Sequence, residues 1–414
     1  MFIANHHTGR NSHYSVAYGW LLFAALGLPI AAHAQFYGKA SATTQYESNS
    51  NVVALQSGFS NTGPGFNGGR RSDTDYSYGG ELDGTYLWGR QELYAIGTAR
   101  QYNYQHFTDL DHNEYTIDVG MNWKAAEIFD GKLDVLRTRT MVPLYDLTGS
   151  TLALALNTTQ QETASLGVKV AGDWKLQGSV SHSKGEEPLP GAPELQLTQT
   201  TYTGWVNYGG FGDVSLGFGE TYVVGDYGGG SSATGNPSYR QGTLGFQASY
   251  KANPRTTFDG SVGYSRRVSD DGTDNSAGIT GAVDVTRQLT PKTSVSLKID
   301  RAINSYYLNT GSEVDTEVVG GVNWQATYKL AVSAGYQFTY RDFPSQNNDP
   351  TRSNRIDRQQ FATLSLSYQP RRWLTIRGYG NYQTRSSNFE GGDYNASIIG
   401  ISVTVSSPDR RPKR

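Results

Sequence analysis

The stretch KLAVSAGYQFTYRD, Lys329 to Asp342, decides the fold. Leu330, Val332, Ala334, Tyr336, Phe338 and Tyr340 fall on one parity. Ala331, Ser333, Gly335, Gln337, Thr339 and Arg341 fall on the other. A period of two marks a β-strand with two unlike faces, because successive side chains point to opposite sides. What each face touches follows from the rest of the chain.

The chain has 414 residues, with 49 Gly, 28 Tyr and no Cys, and only 36% of it is hydrophobic. Few apolar residues with many aromatics suit strands that place their apolar side chains at alternate positions. No heptad run or apolar 20-mer is present. The 35 basic residues nearly balance 37 acidic ones. That balance points neither to nucleic acid nor to a strongly charged partner. Absence of Cys fits an exported protein.

The first 34 residues read differently. Arg10 and a polar start lead into WLLFAALGLPIAA, Trp20 to Ala32, and then Ala32-His33-Ala34. A short apolar core before an A-x-A site is expected to be a secretory signal cleaved after Ala34. It is too short to cross a bilayer as a helix, which takes about 20 residues. The expected organisation is a signal peptide over 1–34, a β-domain over 35–405 and a short basic tail, SSPDRRPKR, over 406–414.

From Gln35 to Val405 one unit recurs: a strand, a short turn, a second strand and a longer polar loop. Asn253-Pro254-Arg255, Thr290-Pro291-Lys292 and Gln369-Pro370-Arg371 mark short turns, since Pro presets a turn and cannot continue a ladder. The long connections are Ser57–Arg71, Gly185–Glu194, Tyr227–Pro237 and Pro344–Arg355. Short turns on one side and long loops on the other are the asymmetry of outer-membrane barrels. The alternating runs predict an all-β, antiparallel up-and-down transmembrane barrel of about 18 strands, with sixteen to twenty allowed by weak alternation around Lys132–Thr148. The last strand, Tyr394 to Val405, resembles the C-terminal insertion signal of such barrels.

Trp88, Trp123, Trp174, Trp205, Trp324 and Trp373 all lie near predicted short turns. Tyr46, Tyr102, Tyr264, Tyr340, Tyr382 and Tyr394 lie near the opposite strand ends. Aromatic rings gather at membrane–water interfaces because they join an apolar body to a polar edge. The Leu330–Tyr340 face is therefore expected to meet lipid, and Gln337, Thr339 and Arg341 to meet water inside a closed cylinder.

The same parity turns Asp118, Asp259, Arg267, Asp284, Lys298, Asp300, Arg341 and Arg377 inward, and these are the candidate channel-lining residues. Their mixed signs allow pairing across the wall, contact with a polar solute, or both. Other motifs carry less. Gly63-Pro64-Gly65-Phe66-Asn67-Gly68 fits G-x-G-x-x-G but lacks the following helix that a dinucleotide site needs. Asp270-Asp271-Gly272-Thr273-Asp274 lacks the later Glu of a calcium loop and reads as a hairpin tip. His106 and His112 flank Asp109 and Asp111 without the spacing of a metal site. No catalytic residue, metal or cofactor is assigned, and with no plug domain read before the barrel, active siderophore-type transport is not expected.

The C-terminal third resembles a known family, the β-barrel porins of the second type, often encoded beside exopolysaccharide synthesis genes. The resemblance rests on Tyr340-Arg341-Asp342-Phe343, Arg355-Ile356-Asp357-Arg358, LSLSYQPRRWLTI (Leu364–Ile376) and RSSNFEGGDYN (Arg385–Asn395). QYESNSNVV (Gln45–Val53) is similar to the family's first strand end, with Glu47, Asn49 and Asn51 where an Asp-x-Asn element is usual. The resemblance implies a non-enzymatic pore in a Gram-negative outer membrane that exports secreted polysaccharide. Its implied partners are outer-membrane lipid, the polysaccharide or a small polar solute, and periplasmic export components. A diffusion porin for small sugars or ions, and a structural or adhesive barrel, are the alternatives. A rim hydrolase ranks last. A long segment folded into the lumen would favour uptake over export, with Ser57–Arg71 as the candidate segment.

Overall fold

The computed structural model describes residues 35–54, 69–142, 154–187, 195–228, 238–270, 272, 274–306, 311–344, 354–389 and 391–408. The expected signal segment, the Gly63–Gly68 motif, most of the Ser57–Arg71 loop and the end of the basic tail fall outside these residues.

The strands are β1 (Gln35–Asn49), β2 (Asp73–Trp88), β3 (Gln91–Tyr104), β4 (His112–Ala125), β5 (Phe129–Met141) and β6 (Leu156–Lys169). They continue as β7 (Trp174–Glu187), β8 (Leu195–Phe211), β9 (Val214–Gly228), β10 (Tyr239–Asn253), β11 (Thr256–Ser269) and β12 (Asn275–Thr290). The last six are β13 (Thr293–Tyr306), β14 (Gly311–Gln325), β15 (Leu330–Phe343), β16 (Arg355–Arg371), β17 (Leu374–Ser387) and β18 (Tyr394–Ser406). Each pairs antiparallel with its neighbour in sequence, and β1 also pairs with β18, so the 18-stranded sheet closes on itself. The closing ladder runs from Ser41↔Ser406 to Asn49↔Ile398. Closure gives the backbone the partners that hydrocarbon cannot supply.

Parity decides the two faces. On β15, Ala334 and Tyr336 are exposed outward while Thr339 and Phe343 are buried inward. The same alternation exposes Leu244, Phe246 and Tyr250 on β10, and Leu364, Leu366 and Tyr368 on β16. These side chains form an apolar outer surface and leave the polar parity inside. No helix among the described residues is long and apolar enough to cross a membrane. The crossing is made by strands.

Three expectations need adjustment. Pro370 lies within β16, at a register shift between Tyr368 and Arg371, and the reversal itself is at Arg372-Trp373. Trp205 sits on the inner parity of β8 and packs over Gly219 of β9, because a glycine there leaves room for an indole. It is therefore no part of an outer aromatic girdle. Finally, the polar parity does not hold every charge: Glu220 lies between Phe218 and Tyr222 on the outward parity, and Arg137 follows Leu133 and Val135 outward on β5. A lipid-facing Arg near mid-membrane costs about 2–4 kcal/mol, and an acid somewhat less.

Candidate transport lumen

The inner wall is held by side chains that reach over glycines. Tyr94 on β3 meets Asp134 on β5 across Gly120 of β4. Lys175 on β7 reaches Asp130 on β5 across Gly167 of β6, with Nζ 2.9 Å from Oδ1. Gln247 on β10 donates to Asn207 on β8 at 2.6 Å across Gly217 of β9. Tyr379 on β17 reaches Glu47 on β1 across Gly400 of β18. In each case a Cβ on the middle residue would collide with the bridging side chains. Much of the glycine content thus serves close approach across two strand spacings, a role that alternation alone cannot reveal.

All eight predicted lining residues lie on the inner parity, but they divide into two groups. Asp259, Asp284, Lys298, Asp300 and Arg377 face the lumen, and Asp118 joins an inward group with Tyr94, Lys132 and Asp134. Asp259 and Asp284 stand directly opposite each other in register, with Lys298 next along the same row. They border a concavity of about 370 Å³ lined also by Asn207, Gln247, Ser249 and Ser261. Asn207 in turn donates to Gln177 at 2.7 Å, so amides form a bonded track from β7 to β10.

Arg267 and Arg341 are inward but already engaged. Arg267 is only 1% exposed. Its Nε donates to Asp274 at 2.8 Å, its Nη1 to Ser305 at 2.8 Å, and its plane stacks 3.4 Å from the Tyr239 ring centre. It therefore does not line open lumen, and Asp274 of the DDGTD stretch belongs to this structural pair. Arg341 Nε lies 3.2 Å from both Glu313 and Asp315.

Both arginines hold one element that the sequence did not reveal. Pairing of β12 with β13 ends at Gly281↔Arg301, although β12 continues outward to Asn275 and β13 to Tyr306. From there β13 parts from β12, and the outer end of the β13–β14 hairpin, with β14 still paired to β15 as far as Val314↔Asp342, lies against the inner surface. Tyr227 on β9 donates to the Gly311 carbonyl at 3.0 Å, and Gln241 on β10 to the Ile303 carbonyl at 3.3 Å. Ser312 donates to Asp274 at 2.6 Å. On its other side Glu313 and Asp315 hold Arg341 of β15. Strands as far apart as β8 and β13 then touch, with Gln199 Nε2 3.3 Å from Ser305 Oγ. Among the described residues, the segment folded inward is this hairpin. Whether Ser57–Arg71 also enters lies outside the described residues.

Three of the stretches that carried the family resemblance, those of Phe343, of Arg355 and Asp357, and of Arg385 to Tyr394, meet in a brace at the long-loop end of β15–β18. Arg355 pairs with Asp357 at 3.0 Å and lies over the rings of Phe343 and Phe389, at 4.6 and 5.5 Å. Ser387 donates to Asp357 at 2.6 Å, and Arg385 stacks on Tyr394 at 5.2 Å. On β1–β5 the corresponding end is closed by Val53, Phe107 and Leu110 packed together. Asp73 receives the His106 imidazole at 2.8 Å, and His112 stacks on Tyr102 at 4.9 Å. These histidines do structural work, and among the described residues no group of three His, Cys, Asp or Glu could hold a metal.

A closed ring of antiparallel strands, apolar outside and polar within, defines an outer-membrane-type β-barrel. Residues 245–407, from β10 to the end of β18, match the family described as "Putative beta-barrel porin 2", which bears out the resemblance read from the sequence. Among solved structures the chain is similar to the FrpB iron transporter of Neisseria meningitidis, at 10% identity over 90% of this chain and 81% of that one, with a TM-score of 0.49. It is also similar to the siderophore receptor PirA of Pseudomonas aeruginosa, at 10% identity over 90% and 80% of the two chains, with a TM-score of 0.46. A mutant ferric enterobactin receptor from Pseudomonas aeruginosa aligns at 10% identity over 89% and 80%, with a TM-score of 0.44. At such values the likeness carries nothing about cargo. No curated protein matches the chain.

Proposed function

We propose that this barrel is a passive outer-membrane passage for saccharides, with secreted polysaccharide as the cargo and periplasmic export components as the source of the chain. One observation carries the saccharide reading: the Gln177–Asn207–Gln247 amide track beside the concavity bordered by Ser249, Ser261, Asp259 and Asp284. Amides and hydroxyls both donate and accept, as sugar hydroxyls do, and many weak contacts let a solute enter and leave. The polymer reading draws on the family resemblance. A second reading, uptake of small sugars, is favoured by the β13–β14 hairpin that occupies the lumen at the long-loop end.

Conductance of the refolded protein in a planar bilayer tests both. Oligosaccharides added on the short-turn side should block with a strength that grows with chain length, and Gln247→Ala should weaken the block. Block by mono- and disaccharides alone, from the long-loop side, would favour uptake. Absence of any channel events would defeat the passage reading altogether.

A further inference from the structure

Two opposite charges stand on the lipid-facing wall without partners. Glu220 is the sixth residue beyond Val214, the short-turn end of β9, and Arg137 the eighth beyond Phe129, the short-turn end of β5. A barrel strand crosses the hydrocarbon in about 9–11 residues, so both lie well within it. Neither has a hydrogen-bond or ion-pair partner among the described residues. Their difference of two residues, at about 3.3 Å rise and a tilt near 45°, is about 5 Å of depth. An arginine side chain spans that distance.

The wall between them is also unlike its surroundings. β7 lies midway, two strands from β5 and two from β9. Gly178 on β7 and Gly204 on β8 carry no side chain, and a groove of about 740 Å³ opens there between Leu166, Val180, Tyr202 and Glu220. Glu162 and His182, paired in register, add polar groups to the same outward face. Acyl chains offer no donor to a carboxylate, and anionic lipid headgroups repel one.

We propose that this face is the contact between two copies of the chain, related by a two-fold axis that runs along the membrane normal beside β7. Such an axis keeps depth unchanged and exchanges the two sides of β7. Arg137 of each copy then meets Glu220 of the other, and each charge gains in the dimer the partner it lacks in the single barrel. One acid and one base placed evenly about the centre of a patch make it self-complementary, as a two-fold contact requires. The inference needs only the membrane-spanning barrel, not the cargo.

Native chains contain no Cys, so Val180→Cys introduces a single reporter at the axis. In phospholipid vesicles oxidised with copper phenanthroline it should give a disulfide-linked dimer, while Leu244→Cys, outward on β10, should stay monomeric. In that Val180→Cys background, Glu220→Arg or Arg137→Glu alone should reduce crosslinking at least several-fold. The combined charge exchange should restore it, which a folding defect would not do. Heat-modifiable gel mobility of these variants reports folding independently. Equal crosslinking at Val180 and Leu244, or a double exchange no better than either single variant, would overturn the proposal. Sedimentation as a monomer at every lipid-to-protein ratio would do the same, and would leave lipid or another protein as the occupant.

Discussion

Tyr379 of β17 donates its hydroxyl to Glu47 of β1 over the bare backbone of Gly400 in β18. The bond spans the strand that closes the ring, so it ties the last hairpin to the first strand independently of the closing ladder. Both groups were present in the sequence, one in the element aligned with the family's first strand end. Their meeting joins residues 332 positions apart over a glycine of a third strand, which is why the pairing shows only in three dimensions.

Enlarging that glycine should harm closure more than removing the bond. Tyr379→Phe leaves the carboxylate with only the longer 3.3 Å bond from Gln45 and should cost about 1 kcal/mol. Gly400→Leu forces a side chain into the space of the Tyr379 ring and should lower the yield of folded barrel further. Heat-modifiable mobility on gels, after refolding at several denaturant concentrations, ranks the two. The reverse order would show that the seam does not rely on close approach.

Arg267→Ala should be among the most damaging single changes. It leaves Asp274 charged and buried, and breaking a buried pair in this way costs about 3–5 kcal/mol. It also frees one side of the β13–β14 hairpin. Thermal unfolding in detergent should occur earlier, and single-channel current should rise or become noisier. Unchanged current in a destabilised barrel would mean that the hairpin stays in place without its arginine.

Arg341→Ala and Arg377→Ala should both shift ion selectivity toward cations, by unequal amounts. Arg341 neutralises Glu313 and Asp315, so its loss uncovers two carboxylates. Arg377 faces the lumen and stacks loosely on Tyr379 at 5.7 Å, so its loss removes one charge only. Reversal potentials in a salt gradient measure the shift. Equal potentials in wild type and both variants would remove these residues from the ion path.

Asp259→Asn and Asp284→Asn should act in the opposite sense. The two acids face each other with Lys298 beside them, and neither has an ion-pair partner among the described residues. Neutralising both should lower cation preference while leaving the melting temperature within a few degrees. A large loss of stability would show instead that the acids hold the wall.

Period-two alternation carried most of the fold, because a closed barrel presents the same lipid to every strand. Leu330 to Tyr340 could thus be placed outside from one stretch, and the strand count followed from the number of alternating runs. The inward set was equally legible at the level of parity. Engagement was not. Nothing local separates Arg267, locked against Asp274 and Tyr239, from Arg377, which remains in the lumen. The hairpin departure was hidden for a related reason: β13 keeps its alternation while changing what each face meets. Glu220 and Trp205 broke the pattern where a groove or a facing glycine changed the local surroundings.

Above Gly281 the hairpin of β13 and β14 stays laddered to β15 but is held to β8–β12 by side chains and isolated carbonyls alone. The bore at that mouth can therefore be reset by exchanging a handful of polar contacts, while the hoop below keeps every backbone bond. It resembles an iris leaf hung on a rigid frame: the aperture and the seal are separate parts.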